Sequence, residues 1–595
     1  MRIILLPDSI FKKIIASMSV MPLILLAGCS GGGGGSPGAT TVTQSYYVDA
    51  TSGNDANSGL STSSAWRTLN KVSNASFQSG TTIYLKKGET WYEQLLIPTS
   101  GISVDAYGSG ALPVIDGSVD IGNSGWSALG GNVYSKSATL ASGEGLGNVS
   151  ENGTMLGFVA WNSSCATSLA TAANGSYSYG YPNLVCLKVA TDPNSNGLPY
   201  RVSRKLYGIS ATNKSSISVK NVQVQRFSLH GINYADCASC SVSTVVARQG
   251  GGAVISSAPL LYAGNGVACD KSCSNILFEN LTVSDIFDSG ISPQTYGNSQ
   301  TASNITIQNS TVDKAGFAGV EISLLSNGGT TGSSISSVTV SGLTITNSGM
   351  GWSGRRYGTE GHGLRIIADT GAGSMSNVLV QDSIVSGSAG DGIKLGGEIG
   401  TVTLKRIRSK ANSNYGINVS AATATTLKLV LTSSLIYNNS NYGVYFNAPN
   451  AAGFNLFHNT FYNNSTINFA VLNQAGQAKL QNNLFYSSAA MAHLYVSTTL
   501  SGATVNNNCY NNQAGMIGYN STTYTTVAAF NTATTFEVNG YGGASVDLSN
   551  PGGEVFTLLS SSACKSLGAS GLGVTQDYSL YTYASPPSSG AYQYH

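Results

Sequence analysis

Charge is what this chain has least of. Only 9% of its 595 residues are Asp, Glu, Lys or Arg, and the formal net charge is +2 with no basic cluster. Nucleic-acid binding needs a basic patch or stripe and so finds no support here. The Leu, Ala, Glu and Lys excess of a helical solenoid is missing too. Any capture of a charged ligand must therefore rest on a few local charges. What is abundant is glycine, 72 residues, with Asn, Ser and Thr filling the stretches between short apolar runs. Such residues tolerate positive φ or bond their own backbone, as tight corners between strands require.

A phrase of glycine, apolar, any residue, apolar recurs down the middle of the chain. It reads Gly231-Ile232-Asn233-Tyr234, Gly290-Ile291-Ser292-Pro293, Gly319-Val320-Glu321-Ile322 and Gly363-Leu364-Arg365-Ile366, then Gly392-Ile393-Lys394-Leu395, Gly416-Ile417-Asn418-Val419 and Gly443-Val444-Tyr445-Phe446. The last four glycines are 29, 24 and 27 residues apart. A second phrase of alternating apolar residues runs out of phase with it, as in Ile305-Thr306-Ile307-Gln308-Asn309. Self-similarity at this period marks a solenoid whose units bury their apolar faces only by stacking. Period-two alternation makes the units strands, so the expected fold is all-β, a single-stranded parallel β-helix.

Residues 1–28 read as an export signal. Lys12 and Lys13 precede an apolar run that ends Leu26-Ala27-Gly28-Cys29, which resembles a bacterial lipobox with Cys29 as the lipidated residue. Ser30 after the cysteine implies, by that resemblance, outer-membrane delivery on the periplasmic or cell-surface side. Residues 29–43 form a glycine-rich tether. Residues 44–117 hold the first coils and a capping helix that carries Trp66, Leu69 and Val72, with Ser63 or Ser64 as its cap. Between 118 and 210 the period is lost, which reads as a β-rich insertion. Regular coils run over 211–488, and 489–595 close the chain. With Cys29 set aside eight cysteines remain, and proximity suggests the pairs Cys165–Cys186, Cys237–Cys240, Cys269–Cys273 and Cys509–Cys564. A four-thiolate zinc site at the middle four is the rival reading.

The polar position of the second phrase is Asn221, Asn280, Asn309 and Asn482, with Gly342, Asp382, Arg406, Ser433 and His458 between. Such residues are expected to stack at a corner and bond from coil to coil. In the glycine phrase the apolar pair points inward, so the residue between them points out. Down the stack that column reads Asn233, Ala268, Ser292, Glu321, Arg365, Lys394, Asn418 and Tyr445, with His362, Asp391, Tyr415 and Tyr442 edging the same groove. Three charges on consecutive rungs are notable in so uncharged a chain. The 44 residues from Gly319 to Gly363 also contain a loop with Trp352, Arg355, Arg356 and Tyr357, suited to a sugar ring and a carboxylate.

The coils, the capping start and the closing Gly590-Ala591-Tyr592-Gln593-Tyr594 resemble the right-handed parallel β-helix proteins of the pectate-lyase-like superfamily. That resemblance implies a protein acting on a polysaccharide, most of all a lyase of an acidic, uronate-containing polymer, working as a monomer. Lys394 would then be the base and Arg365 the carboxylate holder. Glu321 would orient Arg365 or, with Asp288, bind calcium, the one cofactor suggested. His362 or Tyr415 would be the acid, with Asp391 beside them. Trp352, Arg355, Arg356, Tyr357, Asn418 and Tyr445 would contact substrate. The alternatives are a glycoside hydrolase using Glu321, Glu360, Asp288 and Asp391, and a noncatalytic carbohydrate-binding or envelope protein. Gly361-His362-Gly363 matches one hydrolase motif, but its companion motifs are missing and His230-Gly231 repeats it.

Overall fold

The computed structural model describes residues 43–595 apart from 181–182, 258–259, 327–330, 355–359, 475, 490, 501 and 512–515. The expected leader and Cys29, with Arg355, Arg356 and Tyr357, lie outside the described residues.

Short alternating strands such as Ser274–Glu279 bury Ile276 and Phe278 and turn Leu277 and Glu279 outward. One such strand cannot cover its apolar row; the next coil does so. The result is a right-handed parallel β-helix of three long sheets with fourteen strands each. A continuous apolar core runs up its axis from Trp66 and Leu69 through Phe278 and Ile366 to Phe530.

One corner between sheets is made by a single left-handed residue per coil. Asn221, Asn280, Asn309, Gly342, Asp382, Arg406, Ser433, His458 and Asn482 all have φ between +49° and +65°. Asn, Asp and Gly reach this region at little cost, and Thr244, at +54° on the same corner, is a β-branched exception. The coil-to-coil bonding expected of these residues occurs between Arg406 and Asp382 and between Asn482 and His458, and a longer ladder runs one position later. The turn interrupts the strand ladder and leaves the next backbone N–H without a strand partner. A side chain from the following coil accepts it: Ile407 N donates to Ser434 Oγ, Ser434 N to Asn459 Oδ1, Asn459 N to Asn483 Oδ1 and Asn483 N to Asn508 Oδ1, at 2.9–3.0 Å. Asn459, Asn483 and Asn508 are fully buried and also bond one another, Nδ2 to Oδ1 at 2.9 Å. A second ladder, Asn412, Asn439 and Asn464, lies at another corner.

At the N-terminal end Thr68, not Ser63 or Ser64, caps the helix Leu69–Ser73 by accepting from Lys71 N at 3.0 Å. Trp66 lies before that helix, bridged to Val48. The insertion forms two small sheets with a core of their own, its strands running from Ser118–Asp120 to Tyr200–Ser203. The coil resumes at Tyr207–Thr212, slightly ahead of the expected boundary. All four disulfides suggested by proximity are formed. The four central sulfurs are thus consumed in pairs, which removes the zinc alternative. At the far end the helix Val527–Thr534 caps the core with Phe530. The chain then doubles back along one sheet, where Gly590 N donates to Asn482 O and Ala591 N to Thr460 Oγ1.

Candidate functional site

The outward column falls in the expected register. Asn233 pairs with Ala268, Ala268 with Ser292, Glu321 with Arg365, Arg365 with Lys394, Lys394 with Asn418 and Asn418 with Tyr445. The preceding glycines are required by close approach: a Cβ on Gly319 would meet Ile345 Cγ2 at 2.2 Å, and one on Gly363 would meet Val385 Cγ1 at 2.1 Å. Glu321 lies on the strand Ala318–Leu325, His362 and Arg365 on His362–Ala368, and Lys394 on Ile393–Gly397.

Glu321 is buried and accepts four hydrogen bonds. Oε1 takes Arg365 Nη1 at 2.7 Å and Ser323 Oγ at 2.7 Å; Oε2 takes Ser289 Oγ at 2.8 Å and Gln294 Nε2 at 3.0 Å. Such a set fixes Arg365 against the carboxylate. The guanidinium lies 4.9 Å from the centre of the Phe317 ring. Its Nη1 also reaches Ser323 Oγ at 3.3 Å, while Nε and Nη2 make no hydrogen bond among the described residues.

The calcium expectation does not fit this arrangement. Both oxygens of Glu321 are already taken by donors, and the described residues contain no cluster of three or more metal-ligating side chains. Glu321 positions Arg365; Asp288 is buried one coil away.

His362 and Asp391 are also brought together. The Asp391 backbone N–H donates to His362 Nδ1 at 3.0 Å, so the ring hydrogen sits on Nε2, which lies 3.0 Å from Glu360 Oε2. That contact is off the line of a good hydrogen bond, and Oε2 has no aligned donor among the described residues. Burial raises the Glu360 carboxyl, but His362 and the charges of Arg365 and Lys394 outweigh this and hold it below the usual range. The Asp391 carboxylate is consumed by Asn414 Nδ2 at 2.6 Å, Tyr415 N at 3.4 Å and Asn418 Nδ2 at 2.8 Å. His230 repeats the Nδ1 contact, accepting from Asn265 N at 3.1 Å. This bond therefore belongs to the scaffold.

Lys394 differs from its neighbours. Among the described residues it makes no hydrogen bond and no ion pair, although it is only partly exposed. Burial pulls its pKa down and Arg365 adds to this, against the opposing charges of Asp391 and Glu360. Beyond it Tyr415, Tyr442 and Tyr445 form a half-exposed stack, with Tyr415 and Tyr445 nearly parallel at 4.8 Å. The Tyr415 phenol is raised by burial and then by Tyr445 and Asp391.

Two expected substrate contacts are corrected by their surroundings. Trp352 packs on Phe287 and Tyr177 and gives its Nε1–H to Asp285 O at 2.9 Å, tying its loop to the insertion. Asn418 is buried, donating to Asp391 and accepting from Ser420 Oγ at 2.7 Å, so its amide is spent on positioning. Ser289, Gln294 and Ser323, which anchor Glu321, escaped the sequence reading. Gln294 and Ser323 lie two positions beyond the outward column, and that spacing is the signal that marks them.

Residues 331–485 match the family described as a right handed beta helix region. No curated protein matches the chain. Among solved structures, a complex of XylC with xylose is similar at 13% identity and TM-score 0.54, covering 92% of this chain and 98% of that one. The pectate lyase Pel9A is similar at 14% identity and TM-score 0.37, over 93% and 97% of the two chains. A GH136 lacto-N-biosidase from Eubacterium ramulus has 11% identity and TM-score 0.37, over 70% and 64%. The first likeness establishes the fold; the chemistry has to come from this chain's own residues.

Proposed function

We propose that this protein cleaves a uronate-containing polysaccharide by β-elimination at the Glu321, Arg365 and Lys394 ladder. One observation carries the reading: among the described residues Lys394 is an amine with no hydrogen bond or ion pair, its pKa lowered, on the rung beside a guanidinium whose Nε and Nη2 make no hydrogen bond, Nε lying 4.0 Å from Glu360 Oε2. Arg365, held by Glu321, pairs with the substrate carboxylate and stabilises the charge that grows on it as the neighbouring C–H breaks. Lys394 takes that proton. The C–H electron pair becomes a carbon–carbon double bond, the C–O bond to the leaving sugar breaks, and its oxygen takes the Tyr415 hydrogen. The tyrosine stack offers sugar rings a flat apolar face. Export with a lipid at Cys29 belongs to the same proposal, supported by four disulfides that suit an oxidising compartment.

Hydrolysis ranks second. Burial raises Asp270, two coils from Glu321, to about 7, which suits a proton donor. Yet Glu321 and Asp391 have their oxygens occupied, which leaves neither available as base or nucleophile opposite Asp270. Incubation with pectin, alginate and glycosaminoglycans separates the readings. Ultraviolet-absorbing unsaturated ends are expected from at least one polymer. New reducing ends without absorbance would replace the lyase by a hydrolase, and no product from any polymer would remove the enzymatic reading.

A further inference from the structure

A second group of polar side chains faces outward on the same sheet, away from the charged ladder. His230 and Asn233 lie on the strand His230–Ala235, and Asp270 ends the neighbouring strand Val267–Asp270, with Asn233 paired to Ala268. His230 Nε2 and Asp270 Oδ2 approach to 3.9 Å, too far for a hydrogen bond. Because His230 Nδ1 accepts from Asn265, the ring hydrogen is on Nε2 and has no acceptor among the described residues. Asn233 is 5% exposed, and its Oδ1 is buried without a partner. Asp270 is also 5% exposed, and its carboxyl receives no hydrogen bond among the described residues. Tyr207, on the preceding coil, lies parallel to the His230 ring at 6.1 Å.

Buried polar atoms are nearly always bonded, so the unpaired Asn233 Oδ1, with the unbonded His230 Nε2–H and Asp270 carboxyl beside it, calls for an occupant. The occupant must accept from an imidazole N–H and donate to an amide oxygen and a carboxyl. A carboxylate ligand has no hydrogen to give Asn233 Oδ1 and would be repelled by Asp270 wherever that group is ionised. A cation would find too few oxygens. A sugar hydroxyl both donates and accepts. Burial favours the uncharged forms of both titratable groups, pushing His230 down to about 3 and Asp270 up to about 7.

We propose that His230, Asn233 and Asp270 form a second sugar position that takes the hydroxyls of a neutral sugar residue. It lies three to four coils, roughly 14–19 Å, from Arg365. The inference rests on the reading of this face as a polysaccharide groove, and it narrows the substrate to polymers in which a neutral sugar stands a few residues from a uronate.

Titration calorimetry of the full chain tests it, with tetrasaccharides of xylose, glucose, galactose and mannose as probes and with Asn233→Leu and Asp270→Asn as variants. At least one neutral probe is expected to bind the unaltered protein and to lose tenfold or more in affinity in both variants. Unsaturated-product formation by the unaltered protein from the uronate polymer is followed in parallel. Thermal unfolding checks the fold, and Asn233→Leu is expected not to lower the midpoint because it removes an unpaired group. Equal binding to both variants, or no binding of any neutral probe to the unaltered protein, would overturn the proposal. Absence of unsaturated product with neutral binding intact would remove only the lyase reading.

Discussion

Lys394 and Glu321 stand two rungs apart on one column, yet their surroundings give them opposite tasks. Glu321 is held by four donors while Lys394 has no hydrogen bond among the described residues, so the first is a fixed anchor and the second an available base. Glu321→Gln keeps the shape but leaves the Arg365 guanidinium buried without its counter-charge. Removing one partner of a buried pair costs about 3–5 kcal/mol, to be read from chemical denaturation. The base works deprotonated, so kcat/KM is expected to rise with pH, with a midpoint below the ordinary lysine range because the Lys394 pKa is lowered. A flat profile, or one that falls across that range, would contradict its role. The column itself was legible in the sequence, because alternation and glycine spacing determine which residues point outward. What covers each side chain was not. Trp352 and Asn418 were read as sugar contacts, yet one is packed between a loop and the insertion and the other is bonded to Asp391.

The left-handed corner and the asparagine ladder beside it belong to the element scale. Asn483→Ala removes Oδ1 from the Asn459 amide and Nδ2 from the Leu456 carbonyl. Each orphaned buried group costs about 1–3 kcal/mol, so unfolding at lower denaturant is expected. The ladder ends on Glu537, whose carboxyl takes Asn508 Nδ2 and the Tyr510 hydroxyl, both at 2.7 Å. Burial raises it to about 7 against those hydrogen bonds. Its folded pKa therefore exceeds its unfolded value near 4.5, and the folded chain holds the extra proton between the two. Stability supplied by that proton is present at low pH and lost as pH rises toward 7, by at most about 3 kcal/mol. Glu537→Gln should flatten this part of the pH dependence of the melting midpoint; an unchanged slope would contradict the assignment. The column of Asn, Gly, Asp and Ser was visible as a repeat. Its role as a left-handed turn, with a longer run of stacking bonds one residue later, depends on backbone geometry that a hydropathy pattern does not carry.

At the scale of the whole molecule, an open solenoid needs covered ends and a covered flank. Trp66, Leu69 and Val72 close one end and Phe530 the other. The returning tail lays Val546, Phe556 and Ala591 over Leu435, Tyr437 and Leu484. The Cys509–Cys564 bridge pins that tail across a separation of 55 residues. Loop closure of this length is worth about 4 kcal/mol. Cys564→Ser is therefore expected to expose the segment after Val546 to protease well before the coils are cut, as limited proteolysis would show. Local repeats and adjacent cysteines made the coils and bridges legible in the chain. The docking of the insertion against Phe287 and Trp352 rests on contacts between distant segments without a shared period.

The central claim is that coil stacking gathers a free amine and a carboxylate-holding guanidinium into one working row. It is tested most directly by comparing unsaturated-end formation by the unaltered protein and by Lys394→Ala on the uronate polymer that the unaltered protein cleaves. The account predicts a rate lower by about 10²–10⁴-fold with the melting midpoint unchanged. Full activity in the variant would contradict it, as would failure of the unaltered protein to produce unsaturated ends from any uronate polymer.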